Sequence, residues 1–403
     1  MQRPTQAVIL AGGRGTRLRP LTDHRPKAMI EFHGKPFLGY LVEMLRDQGF
    51  RRLLLLLGYL PNVIIDHFGD GSGYGVEIEY DVTEPDDLTG FRVRHARDRL
   101  DDVFLMLYCD NYWPMRFDAM WRAFLDSGAQ GQVTVYTNED SYTRDGVKIG
   151  EDGFVEVFDR SRTQPGLNGV EIGFAVLQRD VVLPLLPERQ RLFEDAVYPP
   201  LIARHALHAF RTGHRYYSVG GHERLWLTDA FFAREPAVIL DRDGVLNERP
   251  PRAEYVTTPE QFRWLPGARQ AVTELAAAGW RIIVVSNQAG IGRGAMTVAA
   301  LEAVHDRMRS DASATGGRID AIYVCPHDWD AGCSCRKPRP GMLLQAQRDF
   351  HLDLTRTVFI GDDERDAMAA DAAGCQSALV SERQPLLDLT RRLIAGTSET
   401  IVQ

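Results

Sequence analysis

Long apolar stretches are missing from this 403-residue sequence. Its longest, Leu53 to Leu57 with its flanks, falls far short of the ~20 residues that cross a bilayer. A helical membrane protein is excluded. Positive charge is in deficit as well: 47 Lys and Arg against 55 Asp and Glu leave a formal charge of −8. That balance does not suit a protein that coats nucleic acid or an anionic membrane. An anionic substrate would have to be held by local cations and backbone amides. The opening MQRPTQAVILAGG has no charged-then-apolar region before a cleavage site, so a cytoplasmic location is the expectation. Cysteines number five, and thiols stay reduced in that compartment, so a cysteine cluster reads as metal ligands before disulfides. Neither an internal repeat nor a low-complexity tract is visible.

Apolar residues, 44% of the chain, suffice for real cores, and the length suits two domains. Two similar openings lie about 230 residues apart, AVILAGGRGTRLRPLT from residue 7 and AVILDRDGVLNERP from residue 237. In each, a short β-branched run breaks abruptly into Gly, Asp or Arg. A buried parallel strand delivers a functional loop at its C-terminal edge in this way. Helical and strand-like stretches alternate after both: a helix over 37–48, strands in RRLLLLLGY and VFLMLYCD, a helix over 268–278, and strands in RIIVVSN and TVFIGDD. The expected fold class is α/β, two domains, each a mainly parallel sheet flanked by helices. The boundary is placed near 234–236, giving domains 1–234 and 235–403. Homo-oligomer formation is left open.

Asp241 and Asp243 in LDRDG stand at i and i+2, so both carboxylates leave a strand end on one side. One can attack phosphorus while the other handles the leaving group's proton. Asp362, Asp363 and Asp366 follow another apolar strand, and carboxylates from adjacent parallel strands form a hard oxygen site suited to Mg²⁺. Ser286 ends a third strand, and Arg336 and Lys337 supply cations for phosphate oxygens. Cys325, His327, Cys333 and Cys335 have the spacing C-x-H-x5-C-x-C, a closed tetrahedral Zn²⁺ set that reads as structural. Such a metal would pin the loop that carries Arg336 and Lys337. Cys109 and Cys375 stand alone and read as core thiols.

LDRDG, SNQ, RKP and GDxxxD resemble the four motifs of the haloacid-dehalogenase-type phosphatases. CPH, CSCRKPRPGM and SNQAGIGRG are closer still to D-glycero-D-manno-heptose 1,7-bisphosphate phosphatases and their histidinol-phosphate phosphatase relatives. The resemblance covers roughly residues 236 to 380. It implies Asp241 as nucleophile and Asp243 as acid, then base. It places Mg²⁺ on Asp241, the Asp243 backbone carbonyl and Asp362. Ser286 and Lys337 would stabilise the transferring phosphoryl group. Arg336, Asn247, Tyr255, Asn287 and Gln288 would meet the substrate.

At the other end, LAGGRGTRL follows a buried-strand signal, and Gly12, Gly13 and Gly15 would let backbone amides approach phosphates. The whole run AGGRGTRLRPLTDHRPKAMIEFHGKPFL resembles sugar-1-phosphate nucleotidyltransferases, including mannose- and heptose-1-phosphate guanylyltransferases, over about residues 5 to 230. That resemblance implies attack of a sugar 1-phosphate on the α-phosphate of an NTP, GTP favoured, with Mg²⁺. Gly12, Gly13, Gly15, Thr16, Arg17 and Lys27 would hold the nucleotide, and Asp110 the metal. Three positions depart from the family. Ser218 stands where its second metal aspartate is expected, LTGFRV keeps only Gly90 of its glycine-rich loop, and Arg160 replaces a sugar-phosphate lysine. A sugar-activating bifunctional enzyme is the main expectation. The alternatives are a phosphatase with a non-catalytic N-terminal module and a histidinol-phosphate phosphatase.

Overall fold

Strands buried on both faces need apolar side chains at every position, and this chain builds two sheets from such strands. The computed structural model describes residues 1–188, 190–251 and 253–396. It divides into two units, Met1–Ala233 and Arg234–Gln403.

The first unit holds a seven-stranded sheet in the order Leu207–Thr212, Gly131–Tyr136, Val170–Gln178, Val103–Tyr108, Gln6–Leu10, Arg52–Leu57, Glu77–Val82. Val170–Gln178 alone runs antiparallel to its neighbours. The leucine run explains itself here. Leu53, Leu55 and Leu57 join the core on one face, while Leu54 and Leu56 join the core on the other. Each fully buried leucine is worth about 2 kcal/mol. The helix Phe37–Asp47 covers the first of these faces, ending one residue before the expected Gln48. Side chains at 37, 38, 41, 42 and 45 are wholly buried, the 3.6-residue period of an amphipathic helix.

The second unit is an all-parallel sheet of five strands, in the order Ala321–Cys325, Arg281–Asn287, Ala237–Asp241, Val358–Gly361, Gln376–Leu379. Ala237–Asp241 is central, with Asp241 level with Val285 and Leu240 level with Ile360. Three strand ends, at Asp241, Ser286 and Asp362, are therefore brought side by side. Val238, Leu240, Ile282 and Val284 enter one core, and Ile239, Ile283, Val285 and Phe359 the opposite one. Helices Ala268–Ala277 and Val298–Ser313 carry buried side chains of the first core; Gly341–Phe350 and Glu364–Ala373 carry those of the second. No helix among the described residues is long and apolar enough to cross a membrane.

Candidate active sites

At the C-terminal edge of the five-stranded sheet, Asp241, Asp362 and Asp366 bring carboxylate oxygens within 4.8 Å of one another. Asp241 comes from its strand, and Asp366 from the first turn of Glu364–Ala373, where it forms a capping box with Asp363. Lys337 Nζ lies 2.8 Å from both Asp241 and Asp366 and is almost wholly buried. Burial pushes the Asp241 carboxyl up to about 7, against the lowering effect of Lys337. Asp362 is likewise raised by burial, to about 6. Carboxylates this crowded favour a divalent cation, and the donor set fits Mg²⁺. Arg249 pairs with Asp362 at 2.7 Å, and Arg365 ties down Asp363 at 2.9 Å. Gly244, at φ 94°, is required here: a β-carbon on it would overlap the Asp362 carboxylate.

Asp243 is set apart from this trio. Its Oδ1 accepts from Arg242 Nε (3.1 Å), Arg242 Nη2 (2.9 Å) and Asn247 Nδ2 (2.9 Å). Its Oδ2 accepts from Arg242 Nη2 and Gln288 Nε2, both at 2.9 Å. These partners hold it below the ordinary carboxylate value although burial works the other way. Asn247 and Gln288, expected to meet substrate, are buried and turned toward Asp243, and Gln288 also donates to Ser286 Oγ at 2.7 Å. The side-chain carboxylate of Asp243 faces these donors and is outside the clustered metal-type set, which holds Asp366 from the second acidic cluster, while Asp363 turns to Arg365.

A cavity of about 950 Å³ opens above these groups, and Ser286, Asn287, Tyr255, Arg336 and Lys337 line it with Asp241 and Asp243. Asn287 is pinned at both ends of its amide to the Lys337 backbone, at 3.1 Å each. Cys325 Sγ is 3.6 Å from Cys333 Sγ and 3.6 Å from His327 Nδ1, which is 3.2 Å from Cys335 Sγ. Tetrahedral zinc with Zn–S of about 2.3 Å spaces its ligands at about 3.7 Å, so this set fits Zn²⁺. No disulfide joins the described cysteines; Cys109 and Cys375 are buried, as expected for core thiols. The loop is tied to the sheet where Gln288 N donates to Cys325 O and Gly292 N to Pro326 O, both at 2.8 Å.

In the first unit, Asp110 follows the strand Val103–Tyr108 and meets Lys27 Nζ at 2.5 Å. Burial opposes both charges. The pair outweighs it, holding Lys27 above and Asp110 below their ordinary values. Ser218 sits beside Asp110: it pairs with Asn111 across a short antiparallel bridge, and Val219 N donates to Asp110 O at 2.9 Å. Among the described residues Asp110 belongs to no set of three metal-type ligands, although its charge helps to raise the Glu171 carboxyl. In the glycine loop, Gly15 takes a left-handed conformation (φ 64°) before the turn Thr16–Leu18, which contains Arg17. At Gly12 a β-carbon would strike the guanidinium of buried Arg92. Gly13 is open on its free side. Arg160 turns to Glu194 and Asp195, at 3.9 and 3.8 Å.

Sequence reasoning missed a cluster here. Burial and the nearby Glu194 push the Glu171 carboxyl up to about 8, with Tyr108 and Tyr198 in the same surroundings. Two carboxyls and two phenols offer donors and acceptors to a hydroxyl-rich ligand. They come from three separate segments without a shared motif. In the second unit Arg242 and His305 were also missed, although Arg242 lies inside LDRDG itself.

The nucleotidyl transferase family model matches residues 6–233, over half of the chain. A HAD-hydrolase-like model matches residues 334–384. The D-glycero-beta-D-manno-heptose-1,7-bisphosphate 7-phosphatase of Bordetella bronchiseptica is 43% identical over 143 residues, covering 36% of this chain and 79% of that protein. The chain belongs to both families. Its nucleotidyl transferase part and its HAD phosphatase part follow one another in a single polypeptide. The Pseudomonas aeruginosa enzyme of the same name is 41% identical over 160 residues, covering 40% of this chain and 89% of that protein. For the nucleotidyl transferase part, the crystal structure of HddC from Yersinia pseudotuberculosis superposes with a TM-score of 0.50 at 24% identity. It covers 57% of this chain and all of that one, a likeness of fold.

Proposed function

We propose that the chain is a bifunctional enzyme of activated-heptose synthesis. Its HAD phosphatase part would remove the 7-phosphate of a heptose 1,7-bisphosphate. Its nucleotidyl transferase part would couple the resulting heptose 1-phosphate to a nucleotide, with GTP the favoured donor. The observation that carries the first half is the Asp241, Asp362, Asp366 and Lys337 cluster beneath an Arg- and Lys-lined cavity. Its identity with the two heptose bisphosphate phosphatases supports the substrate class.

In this reading an Asp241 oxygen attacks phosphorus, the ester bond breaks, and the leaving alkoxide takes a proton from Asp243. Asp243 then accepts a proton from water as that water attacks the aspartyl-phosphate, releasing phosphate and restoring Asp241. An anionic phosphate arriving beside Asp243 raises its proton affinity, which offsets the effect of Arg242. Asp241, the Asp243 backbone carbonyl, Asp362 and Asp366 would hold Mg²⁺, which supplies charge neutralisation at the phosphoryl oxygens. Lys337 and Ser286 stabilise the same oxygens, and Arg336 reaches the remainder of the substrate. Zn²⁺ on Cys325, His327, Cys333 and Cys335 would serve only to hold the loop. In the transferase part, Lys27 and Arg17 would meet the phosphates and Asp110 would hold the metal. No nucleic-acid or membrane partner is invoked, and the cytoplasm is the expected site of action.

A specific observation favours a second reading for the first part: among the described residues Asp110 belongs to no set of three metal-type ligands, and Ser218 stands beside it. It would then bind a sugar phosphate or nucleotide without turnover. One experiment separates the readings. Protein is given heptose 1,7-bisphosphate, Mg²⁺ and each NTP, with phosphate and pyrophosphate measured separately. Release of both supports the bifunctional enzyme, release of phosphate alone the second reading, and release of neither overturns both.

A further inference from the structure

Arg242 lies between Asp241 and Asp243 in the chain and is wholly excluded from solvent. Its backbone N–H donates to Asp241 Oδ1 at 2.7 Å, and its carbonyl accepts from Leu246 N and Asn247 N at 2.9 and 3.1 Å. Its main chain is thus part of the turn that follows the strand. The guanidinium spends Nε and Nη2 on Asp243. Nη1 points the other way and meets His305 Nε2 at 3.3 Å. A buried guanidinium N–H without an acceptor is costly, and this imidazole nitrogen supplies one.

His305 belongs to the helix Val298–Ser313, whose buried face is otherwise Leu301, Val304, Met308 and Ala312. It is 1% exposed, at a position where an aliphatic residue would serve packing better. A guanidinium carries no acceptor, so the contact requires the Nε2 lone pair and places the ring proton on Nδ1. Glu302 Oε1 stands 3.9 Å from Nδ1. Burial and the neighbouring Arg242 and Arg309 push His305 down to about 3, which keeps it a neutral acceptor.

We infer that His305, acting through Arg242, is a positioning residue for the Asp243 carboxylate in phosphoryl transfer. The helix supplies a fixed acceptor, the acceptor fixes the guanidinium, and the guanidinium fixes both oxygens of Asp243. The inference rests on the phosphatase reading of this site. Asn247 and Gln288 each hold one oxygen only, and both come from the strand-end loops themselves. Among the described residues His305 links Arg242 to the long packed helix Val298–Ser313, so its loss would let the carboxylate wander while leaving the metal-type cluster intact. Misplacing a proton donor costs most where the leaving group needs that proton.

The test compares His305→Ala, His305→Gln and wild type on two substrates, a sugar phosphate and p-nitrophenyl phosphate. Nitrophenolate leaves without a proton, whereas a sugar alkoxide does not. For His305→Ala, kcat/KM on the sugar phosphate should fall about tenfold or more, against less than about threefold on the aryl ester. His305→Gln, whose side-chain oxygen can reach the same point, should recover most of the loss. An equal fall on both substrates, or none, would overturn the inference. If His305→Ala fails to fold, judged by melting and zinc content, His305→Asn, too short to reach Arg242 Nη1, tests the same link and should show the same unequal loss. Wild-type protein inactive on both esters would overturn the phosphatase reading itself, and the positioning role with it.

Discussion

The two units present carboxylates at strand ends in opposite states of supply. In the second, Asp241, Asp362 and Asp366 converge and repel, with Lys337 between two of them and two of the three raised to about 6 and 7. In the first, Asp110 belongs to no such cluster among the described residues and is already matched by Lys27 at 2.5 Å. A crowded anionic site gains from a dication, whereas a site neutralised by its own lysine gains little. Similar Rossmann-like strand ends therefore carry different appetites for metal, and the difference turns on single residues such as Ser218.

The comparison can be broken first at its strongest point. Asp241→Asn should cut phosphate release by about four orders of magnitude or more while zinc content and melting stay as in wild type. Parallel loss of zinc would show that the clamp and the phosphoryl site are one system. Next in size, Cys333→Ser or a chelator should destabilise the second unit by roughly 4 kcal/mol, because structural zinc supplies folding energy directly. Calorimetry should show that transition move while the transition of the first unit stays; an unmoved pair would mean the loop is held without metal.

Ser218→Asp addresses the contrast itself. A second carboxylate beside Asp110 should tighten Mg²⁺ binding to the first unit by about tenfold, the scale on which ligand charge tunes such sites. Titration of the protein with the second site disabled by Asp241→Asn would read it, and unchanged affinity would mean that Ser218 does not face the metal position. The smallest effect expected is that of Glu171. Its folded-state value, about 8, lies above its ordinary 4.5. Between these the folded state keeps a proton that the unfolded chain has lost, so this carboxyl lowers stability as pH rises from about 4.5 to 8. Glu171→Gln should then raise stability at about pH 8.5 by on the order of 1–2 kcal/mol, and leave it nearly unchanged near pH 4. Equal gains at both pH values would mean that Glu171 is not the titrating group.

Legibility followed locality. LDRDG, RKP and the cysteine spacing are each short enough that one turn or one strand end places their atoms, so Asp241, Lys337 and the four zinc-type ligands could be read along the chain. The hydrogen bonds of Asn247 and Gln288 to Asp243 were not legible, because a sequence does not tell which way a side chain turns at a strand end. Gly12 likewise has a packing reason that its loop does not reveal, the guanidinium of Arg92, 80 residues further on.

Residue order alone determined the two α/β units, their buried strands and the kinds of donor at each strand end, since apolar periodicity and short motifs are local properties. Tertiary structure alone decided who faces whom. It brought Arg92 to Gly12, His305 to Arg242 and Glu194 to Glu171, because such meetings depend on strand order and on helices packing across a sheet. Charge and burial at those meetings, absent from any single stretch of chain, set the chemistry of the sites.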